Sequence, residues 1–304
     1  MKAIAIFFLV LSARAFAAAP PPADNVVLVT LDGTRWQEFL GNAPDAALAA
    51  GDKAPTFPTF WSTYAGQGVV LGDEDLGSVM TISNSVSISL PGYQSIMAGA
   101  TQPCRDNDCG RITVETFPER LVRDLGLARS DAVVVASWDR IANAVEHVKG
   151  TLSVDAPPGT RDDAVTWTLA EAALAKKPRF LYISLNDADE FGHQHNYPQY
   201  LATLRRYDAW LDELFKTIAA SGDWGNRTAV IVTTDHGRGL GPQWTDHGHI
   251  PAAHRIWLYA RGSGIRSGGR LGKGFSGQHT DIRATIEALY GLAPVGTPLP
   301  ILAR

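Results

Sequence analysis

Ala-Val-Ile-Val-Thr-Thr-Asp-His-Gly, residues 229–237, is an apolar, β-branched run that stops abruptly at Asp235, His236 and Gly237. A run of this length and composition predicts a buried parallel strand with polar groups at its carboxyl end. Open α/β sheets bind their ligands at that end. Taken alone, the stretch is better explained by a strand that meets a turn, with Asp235 capping whatever follows. The choice depends on whether other strands end in the same way.

Two further apolar runs lead into acidic or imidazole groups. Residues 25–31 are followed directly by Asp32, and residues 179–185 are followed closely by Asp189 and His193. Strands that alternate with helices predict a three-layer α/β/α sandwich with a mostly parallel central sheet. The same reading predicts strands at 132–136 and 256–260, and helices at 55–66, 116–127, 162–177, 200–220 and 281–290.

The first residues have the features of an exported protein. A basic start, an apolar middle and a small-residue exit predict a secretory signal peptide over residues 1–17, followed by one domain over residues 18–304. The apolar middle is shorter than the roughly 20 residues that a membrane-spanning helix needs, and a retained anchor is the alternative. No later stretch of the sequence is long and apolar enough to span a membrane. We therefore expect a periplasmic or secreted protein.

Charge and cysteine content narrow the class of partner. The formal net charge of −4 becomes about −6 when Lys2 and Arg14 are removed with the signal peptide. Mild acidity without a basic run argues against nucleic acid as the main partner. Cys104 and Cys109 can form a disulfide in an exported protein, and no second cysteine pair completes a metal site with them.

The three strand ends collect carboxylates and imidazoles without a thiolate, and His247, His249 and His254 follow shortly after. This mixture of ligands suits zinc or manganese better than a soft metal. Two metal ions need about six protein ligands, and the sequence supplies them. Each residue alone is as well explained by a helix cap or a packed histidine. Their joint occurrence favours a two-metal site.

A hydrolase that works through a covalent intermediate also needs a nucleophile. Ser89, in Ser-Leu-Pro-Gly-Tyr, is predicted at a helix N-terminus with Pro91 in the first turn. A metal-bound serine hydroxyl loses its proton more readily than a free one, and the helix N-terminus would stabilise an incoming phosphate. A simple N-cap role for Ser89 is the alternative, and Ser83, Ser85 and Ser87 are nearby serines.

In this order and context, four motifs resemble those of the alkaline phosphatase superfamily. They are Asp32 in Val-Thr-Leu-Asp-Gly, Ser89 in Ser-Leu-Pro-Gly-Tyr, residues 189–193 as Asp-x-x-Gly-His, and Asp235-His236-Gly237. The likeness is greatest to the type I phosphodiesterase/nucleotide pyrophosphatase branch, and it covers nearly the whole chain from Asn25 onward.

The resemblance implies two divalent metal ions, Zn²⁺ or alternatively Mn²⁺, held by two sets of ligands. The first set is Asp32, Ser89, Asp235 and His236, and the second is Asp189, His193 and His247. His249 and, more weakly, His279 are alternatives for the last ligand. Asn107 falls about where the family places an asparagine that donates to a phosphoryl oxygen, so Asn107 joins Ser89 as a catalytic candidate.

The implied function is metal-dependent hydrolysis of a small-molecule phosphate ester through a phosphoryl-serine intermediate. The family's diesterases more often carry threonine as the nucleophile and its phosphatases serine, so both a phosphodiesterase and a phosphatase are open. Tyr93 stands where formylglycine sulfatases carry arginine. A sulfatase without formylglycine, a phosphonate hydrolase on the same scaffold, and a non-catalytic secreted metal- or anion-binding protein are the alternatives. Candidates for contacts to phosphoryl oxygens are Arg105, Arg111 and Arg140.

Overall fold

The computed structural model describes residues 22–303, so the predicted signal peptide lies outside the described residues. The strands are β1 (Asn25–Leu31), β2 (Val69–Leu71), β3 (Val79–Thr81), β4 (Ala132–Ala136), β5 (Ser153–Asp155), β6 (Phe180–Leu185), β7 (Thr228–Thr233), β8 (Leu258–Gly262), β9 (Gly269–Arg270) and β10 (Ser276–Gln278). The α-helices are α1 (Trp36–Gly41), α2 (Ser89–Ala98), α3 (Phe117–Leu125), α4 (Ile141–Val145), α5 (Asp163–Leu174), α6 (Asp187–His193), α7 (Tyr197–Ala219), α8 (Asp223–Asn226) and α9 (Asp281–Leu289).

Eight strands form one central sheet in the order β5-β4-β6-β1-β7-β8-β2-β9. The first five strands in this order are mutually parallel, whereas β8 runs antiparallel to both β7 and β2. The predicted mostly parallel sheet is therefore confirmed. Because β6, β1 and β7 are neighbours and parallel, their carboxyl ends meet at one edge of the sheet.

Alternate residues of β1 face two separate layers of helices. Val26 and Leu28 pack into one core with residues of α2, α3, α4 and α9. Val27 and Val29 pack into the other core with residues of α1, α5 and α7. A central strand covered on both faces is apolar throughout, and all of β1 is buried. This confirms the three-layer α/β/α arrangement.

The structure departs from the predicted elements at three places. Residues 55–66 form only a π-helical turn at Phe60–Tyr64 and a 3₁₀ turn at Ala65–Gln67, because the Asp208 carboxylate accepts hydrogen bonds from the backbone of Thr59 and Phe60 and starts the helical segment late. The last predicted strand begins at Leu258 rather than at residue 256. A small second sheet pairs β3 with β10, whose strands of three residues are too short to give a period.

The remaining predicted helices are present. α3, α5 and α9 are shorter than predicted, whereas α7 begins three residues earlier than predicted, at Tyr197, and ends one residue earlier, at Ala219. Thr116 caps α3 in a reciprocal capping box with Glu119, as the sequence before this helix suggests. Among residues 22–303, no helix combines the length and the apolar composition required to cross a membrane.

His279, the weakest of the candidate metal ligands, belongs to the fold rather than to the metal centre. It is fully buried, its backbone N–H donates to Thr81, and its Nδ1 accepts a hydrogen bond from the Ser83 backbone N–H at 3.0 Å. Burial lowers the pKa of His279 to about 3. Protonation of Nδ1 would also remove the acceptor that Ser83 uses.

We predict that His279→Gln makes the protein less sensitive to mild acid. The unfolded chain binds a proton on His279 near pH 6.5 and the folded chain only near pH 3, so in the wild type this group removes stability as the pH falls through that window. Between about pH 7 and about pH 5 the wild type should lose roughly 2 kcal/mol more unfolding free energy than His279→Gln. Urea unfolding at the two pH values measures this difference. The exposed His249→Gln variant is the control, and equal losses in wild type and His279→Gln would contradict the prediction.

Candidate metal centre

Three buried carboxylates lie at the carboxyl edge of the sheet. Asp32 follows β1, Asp235 follows β7, and Asp189 lies in the first turns of α6, just after β6. Gly33 has a φ of +61°, and a Cβ there would lie 2.3 Å from Asp189 Oδ1. Glycine after Asp32 therefore lets the chain turn while a second acidic side chain approaches its backbone.

Ser89, Asp32, Asp235 and His236 converge in what we call the first cluster. His236 Nε2 lies 3.2 Å from Ser89 Oγ, 3.3 Å from Asp235 Oδ2 and 3.6 Å from Asp32 Oδ1. His236 Nδ1 donates to the Gly237 carbonyl at 2.9 Å, so Nε2 presents a lone pair to the carboxylates. Asp32 Oδ1 and Asp235 Oδ2 are buried and have no hydrogen-bond partner within the described part of the chain. Several acceptors that face one another without donors fit a cation.

The charge balance of the first cluster supports the same conclusion. Burial raises the pKa of Asp32 well above its ordinary value, and the neighbouring Asp235 and Asp189 raise it further. Burial and Asp189 raise the pKa of Asp235 to about 7. Burial lowers the pKa of His236 to about 4, which keeps the imidazole neutral. Anionic carboxylates beside a neutral imidazole are stabilised when a positive ion is bound.

Asp189, His193 and His247 form the second cluster. His193 Nε2 lies 3.0 Å from Asp189 Oδ2 and 3.1 Å from His247 Nε2. His247 Nδ1 donates to the Ser87 carbonyl, so its Nε2 lone pair points at the other two groups. Burial lowers the pKa of His247 to about 4. The donor set of each cluster, carboxylate and imidazole without thiolate, fits a zinc or manganese ion.

The two clusters are in direct contact through His236 and His247. The rings of His236 and His247 stack with centroids 4.0 Å apart and an interplanar angle of 14°. Asp189, His236 and His247 also form a ligand-like group of their own, as do Asp32, Asp235 and His236. The structure thus brings all seven predicted metal ligands together. It leaves His249 exposed at the surface.

Ser89 is the first residue of α2, and Ile88 is the N-cap. The N-cap role that the sequence allowed for Ser89 is therefore wrong. Asn107 Oδ1 accepts a hydrogen bond from the Leu90 backbone N–H at 3.0 Å, which leaves its amide nitrogen as the donor for a ligand. Cys104 and Cys109 are joined by a disulfide, so Asn107 lies inside a closed loop beside the nucleophile candidate.

Sequence reasoning missed three side chains that support the clusters. The Tyr93 hydroxyl donates to Asp32 Oδ2 at 2.9 Å, and the four-residue spacing from Ser89 on a helix is the signal that could have shown it. The buried Asp163 accepts hydrogen bonds from the backbone of Asn186 and Asp187, at 2.9 Å each, and from Ser137 and Tyr207. Asp163 thereby fixes the turn that leads into α6.

The third side chain is Arg238, which has none of its surface exposed and forms an ion pair with Asp189. Burial alone would raise the pKa of Asp189, but Arg238 and the hydrogen bond with His193 hold that pKa well below its ordinary value. In the sequence, the only signal for this role of Arg238 is its position directly after Asp235-His236-Gly237.

A cleft of about 200 Å³ opens onto Ser89. Besides the metal ligands Asp189 and His193, it is lined by Ser89, Asn107, Trp138, Asn186 and Glu190. Glu190 accepts a hydrogen bond from Asn186 at 3.1 Å and is the only charged lining residue apart from the metal ligands.

The three arginines proposed as phosphoryl contacts are engaged elsewhere. Arg105 donates to Ser85, and Arg111 donates to the carbonyls of Ala142 and Glu146. Arg140 Nη2 lies 3.8 Å from Asp108 Oδ1.

Comparison with known proteins gives matches in sequence and in structure. Residues 85–251 match the family described as type I phosphodiesterase/nucleotide pyrophosphatase. Phosphopentomutase from Methylobacterium nodulans is 31% identical over 163 residues, which are 53% of this chain and 36% of that protein. Phosphopentomutase from Allorhizobium ampelinum is 35% identical over 106 residues, which are 34% of this chain and 22% of that protein. The chain thus spans well under half of the length of either relative.

Solved structures share the fold at low sequence identity. The alkaline phosphatase PafA aligns with a TM-score of 0.68 at 13% identity, covering 95% of this chain and 100% of that one. Murine ectonucleotide pyrophosphatase/phosphodiesterase 5, in complex with AMP, aligns with a TM-score of 0.61 at 13% identity, covering 92% and 100%. A 2-O GAG sulfatase aligns with a TM-score of 0.67 at 14% identity, covering 90% and 72%.

The family match covers more than half of the chain and includes Ser89 and every member of the second cluster. The fold around these residues is that of alkaline phosphatase-like proteins. The chain therefore belongs to the type I phosphodiesterase/nucleotide pyrophosphatase family.

Proposed function

We propose that the protein is a two-metal phosphodiesterase that cleaves small phosphate diesters through a phosphoryl-serine intermediate. The observation that carries the proposal is the placement of Ser89. Its hydroxyl lies at the start of α2, 3.2 Å from His236 Nε2, and that nitrogen lies 3.3 and 3.6 Å from two carboxylate oxygens that have no hydrogen-bond partner within the described residues. A hydroxyl in this position has both a helix N-terminus and a cation-binding cluster beside it.

Each cluster would hold one divalent ion, Zn²⁺ or Mn²⁺. Asp32, Ser89, Asp235 and His236 would hold the first, and Asp189, His193 and His247 the second. Such ions supply positive charge that lowers the pKa of a bound hydroxyl and stabilises developing negative charge on oxygen.

The protein groups account for the remaining parts of the reaction. Ser89 Oγ attacks phosphorus, and the bond from phosphorus to the leaving oxygen breaks as the serine–phosphorus bond forms. The backbone N–H groups at the start of α2 and the Asn107 amide nitrogen donate to the non-bridging oxygens. The second ester group of the diester stays on phosphorus in this intermediate. Water then attacks that phosphorus, the bond from phosphorus to the serine oxygen breaks, and a phosphate monoester leaves as Ser89 returns to its starting state.

The lining of the cleft supports a diester rather than a monoester as substrate. A monoester carries close to two negative charges near neutral pH, whereas a diester carries one. Apart from the metal ligands, the described residues that line the cleft around Ser89 include one acidic side chain, Glu190, and no basic one. Repulsion by Glu190 penalises the dianion more than the monoanion.

The phosphopentomutase relatives support a second candidate, transfer of the phosphoryl group to a sugar hydroxyl instead of water. The same serine and the same metal clusters would serve it, but the substrate would be a sugar phosphate monoester and the acceptor a sugar hydroxyl. Hydrolysis of a sulfate ester or a phosphonate monoester is a further variant on this fold, which is shared with a sulfatase and a phosphonate monoester hydrolase. For the protein's location we retain the periplasm or the extracellular space, which the disulfide between Cys104 and Cys109 favours.

The nucleophile is tested by Ser89→Ala. We expect kcat/KM for a diester to fall at least about a thousandfold, because no other hydroxyl replaces the attacking oxygen. Ser85→Ala, in the exposed segment before α2, is the matched control and should keep its activity. Acid quenching during turnover followed by peptide mass spectrometry should find, on Ser89 of the wild type, a phosphoryl group that still carries the second ester group of the diester. Full metal-dependent activity in Ser89→Ala would show that the nucleophile is misassigned.

Metal removal should destabilise the protein and abolish turnover. Chelation leaves three carboxylates buried together, so we expect a lower melting temperature that zinc restores, with a stabilisation of about 4 kcal/mol for each ion at a thousandfold excess over its Kd. Elemental analysis should give about two ions per chain in the wild type. Asp235→Asn should lose one ion, and the exposed Asp75→Asn should keep both. A metal-free protein whose melting temperature and activity do not respond to zinc would refute the metal centre.

Substrate class is tested by rates on an aryl diester, monoester and sulfate under identical metal loading, with product analysis for a pentose phosphate. We expect the diester to react fastest. Glu190→Gln should raise kcat/KM for the monoester relative to the diester about fivefold, equivalent to roughly 1 kcal/mol of repulsion removed. Glu171→Gln, on the exposed side of α5, is the control with the same charge change. A faster monoester would indicate a phosphatase, and an isomerised pentose phosphate would indicate a mutase.

A further inference from the structure

We infer that Arg238 is a positioning residue that assembles the second cluster by joining the two segments that carry its ligands. The inference rests on the proposed two-metal function. Arg238 is not one of the residues that line the cleft at Ser89, so it acts through the groups that it holds.

Arg238 contacts both ligand-bearing segments at once. Its Nη1 pairs with the Asp189 carboxylate on α6. Its Nε donates to the Trp244 carbonyl at 2.8 Å, and its Nη2 donates to the Thr245 carbonyl at 2.7 Å. Trp244 and Thr245 end the 3₁₀ turn that leads directly to His247. One guanidinium group therefore fixes the spacing between Asp189 and the backbone that delivers His247.

The geometry requires arginine rather than any cation. Three nitrogen atoms of Arg238 serve three different acceptors, which a planar guanidinium can do and a single ammonium cannot. The guanidinium is wholly buried, and so are its bonds to Asp189 and to the Trp244 carbonyl, so these two acceptors would lose their partner without gaining water if the guanidinium were removed.

The Asp-x-x-Gly-His motif is built to admit this guanidinium. A Cβ at Gly192 would lie 2.5 Å from Arg238 Cζ and 2.6 Å from Nε. The glycine between Asp189 and His193 therefore lets Arg238 lie flat against α6. On the other side, Arg35 Nη1 donates to the Gly239 carbonyl at 3.1 Å and holds the backbone next to Arg238.

The first cluster serves as an internal reference, because no arginine in the described part of the chain pairs with Asp32 Oδ1 or Asp235 Oδ2. Loss of Arg238 should therefore weaken one of the two metal sites selectively. Outer partners of metal ligands typically change affinity by about 10- to 100-fold, and we expect a loss of that size at the second cluster.

The experiment is zinc titration of the metal-free full-length protein by calorimetry, with elemental analysis after dialysis. The wild type should bind two ions, and Arg238→Met should bind one with unchanged affinity and one about 10- to 100-fold more weakly. Arg238→Lys should behave like Arg238→Met, because its single nitrogen cannot serve three acceptors. Excess zinc should restore much of kcat, which it would not do for a variant with general misfolding.

A second variant keeps the charge and guards against a folding failure of Arg238→Met. Gly192→Ala displaces the guanidinium while retaining it, and should weaken the same zinc ion; Gly41→Ala, with no atom within 4 Å of the added Cβ, is its control. If the wild type binds two ions and Arg238→Met or Gly192→Ala binds both with unchanged affinity, the inference about Arg238 is overturned and the proposed function stands. A wild type that binds fewer than two ions would overturn the proposed function and the inference with it.

Discussion

Mutual repulsion between Asp32, Asp189 and Asp235, buried together at one edge of the sheet, is the constraint on which the rest of the centre depends. The three carboxylates differ in the groups that compensate their charge. Arg238 pairs with Asp189, and the Tyr93 hydroxyl donates to one oxygen of Asp32. The remaining oxygens, Asp32 Oδ1 and Asp235 Oδ2, have no partner in the described residues. Burying such groups is costly unless a cation or a donor compensates them, and a bound cation would remove this cost.

The strands that hold these carboxylates apart at fixed distances were predictable from the sequence. β1, β6 and β7 are short apolar runs with polar groups directly after them, and their parallel pairing brings those groups to one edge. Local composition is enough for this because the strands are buried on both faces and admit little else. The π-helical turn near Phe60 was not predictable in the same way, since a distant carboxylate, that of Asp208, decides where it begins.

The choice between His247 and His249 shows where prediction from sequence stops. The two histidines are separated by one glycine, so no local pattern distinguishes them. The Ser87 carbonyl, from a segment 160 residues earlier, accepts the Nδ1 hydrogen of His247 and turns its Nε2 toward His193. The roles of Arg238 and Asp163 could not be predicted for the same reason. Asp189, the partner of Arg238, lies 49 residues away, and Asp187, a partner of Asp163, lies 24 residues away, and no sequence pattern links either pair. The ligands could be proposed from motifs, whereas the groups that orient them could not.

The free hydroxyl of Ser89 depends on a residue from another loop. An N-cap serine uses its oxygen to accept a backbone N–H of the helix, and that oxygen is then unavailable as a nucleophile. In α2 the side chain of Asn107 accepts the Leu90 N–H instead, and Ser89 is the first helical residue with its Oγ beside His236. Asn107 is held in the loop closed by Cys104 and Cys109. Because Asn107 caps the helix in its place, the Ser89 hydroxyl remains available as a nucleophile. The position of Asn107, and through it that of Ser89, therefore depends on the disulfide between Cys104 and Cys109.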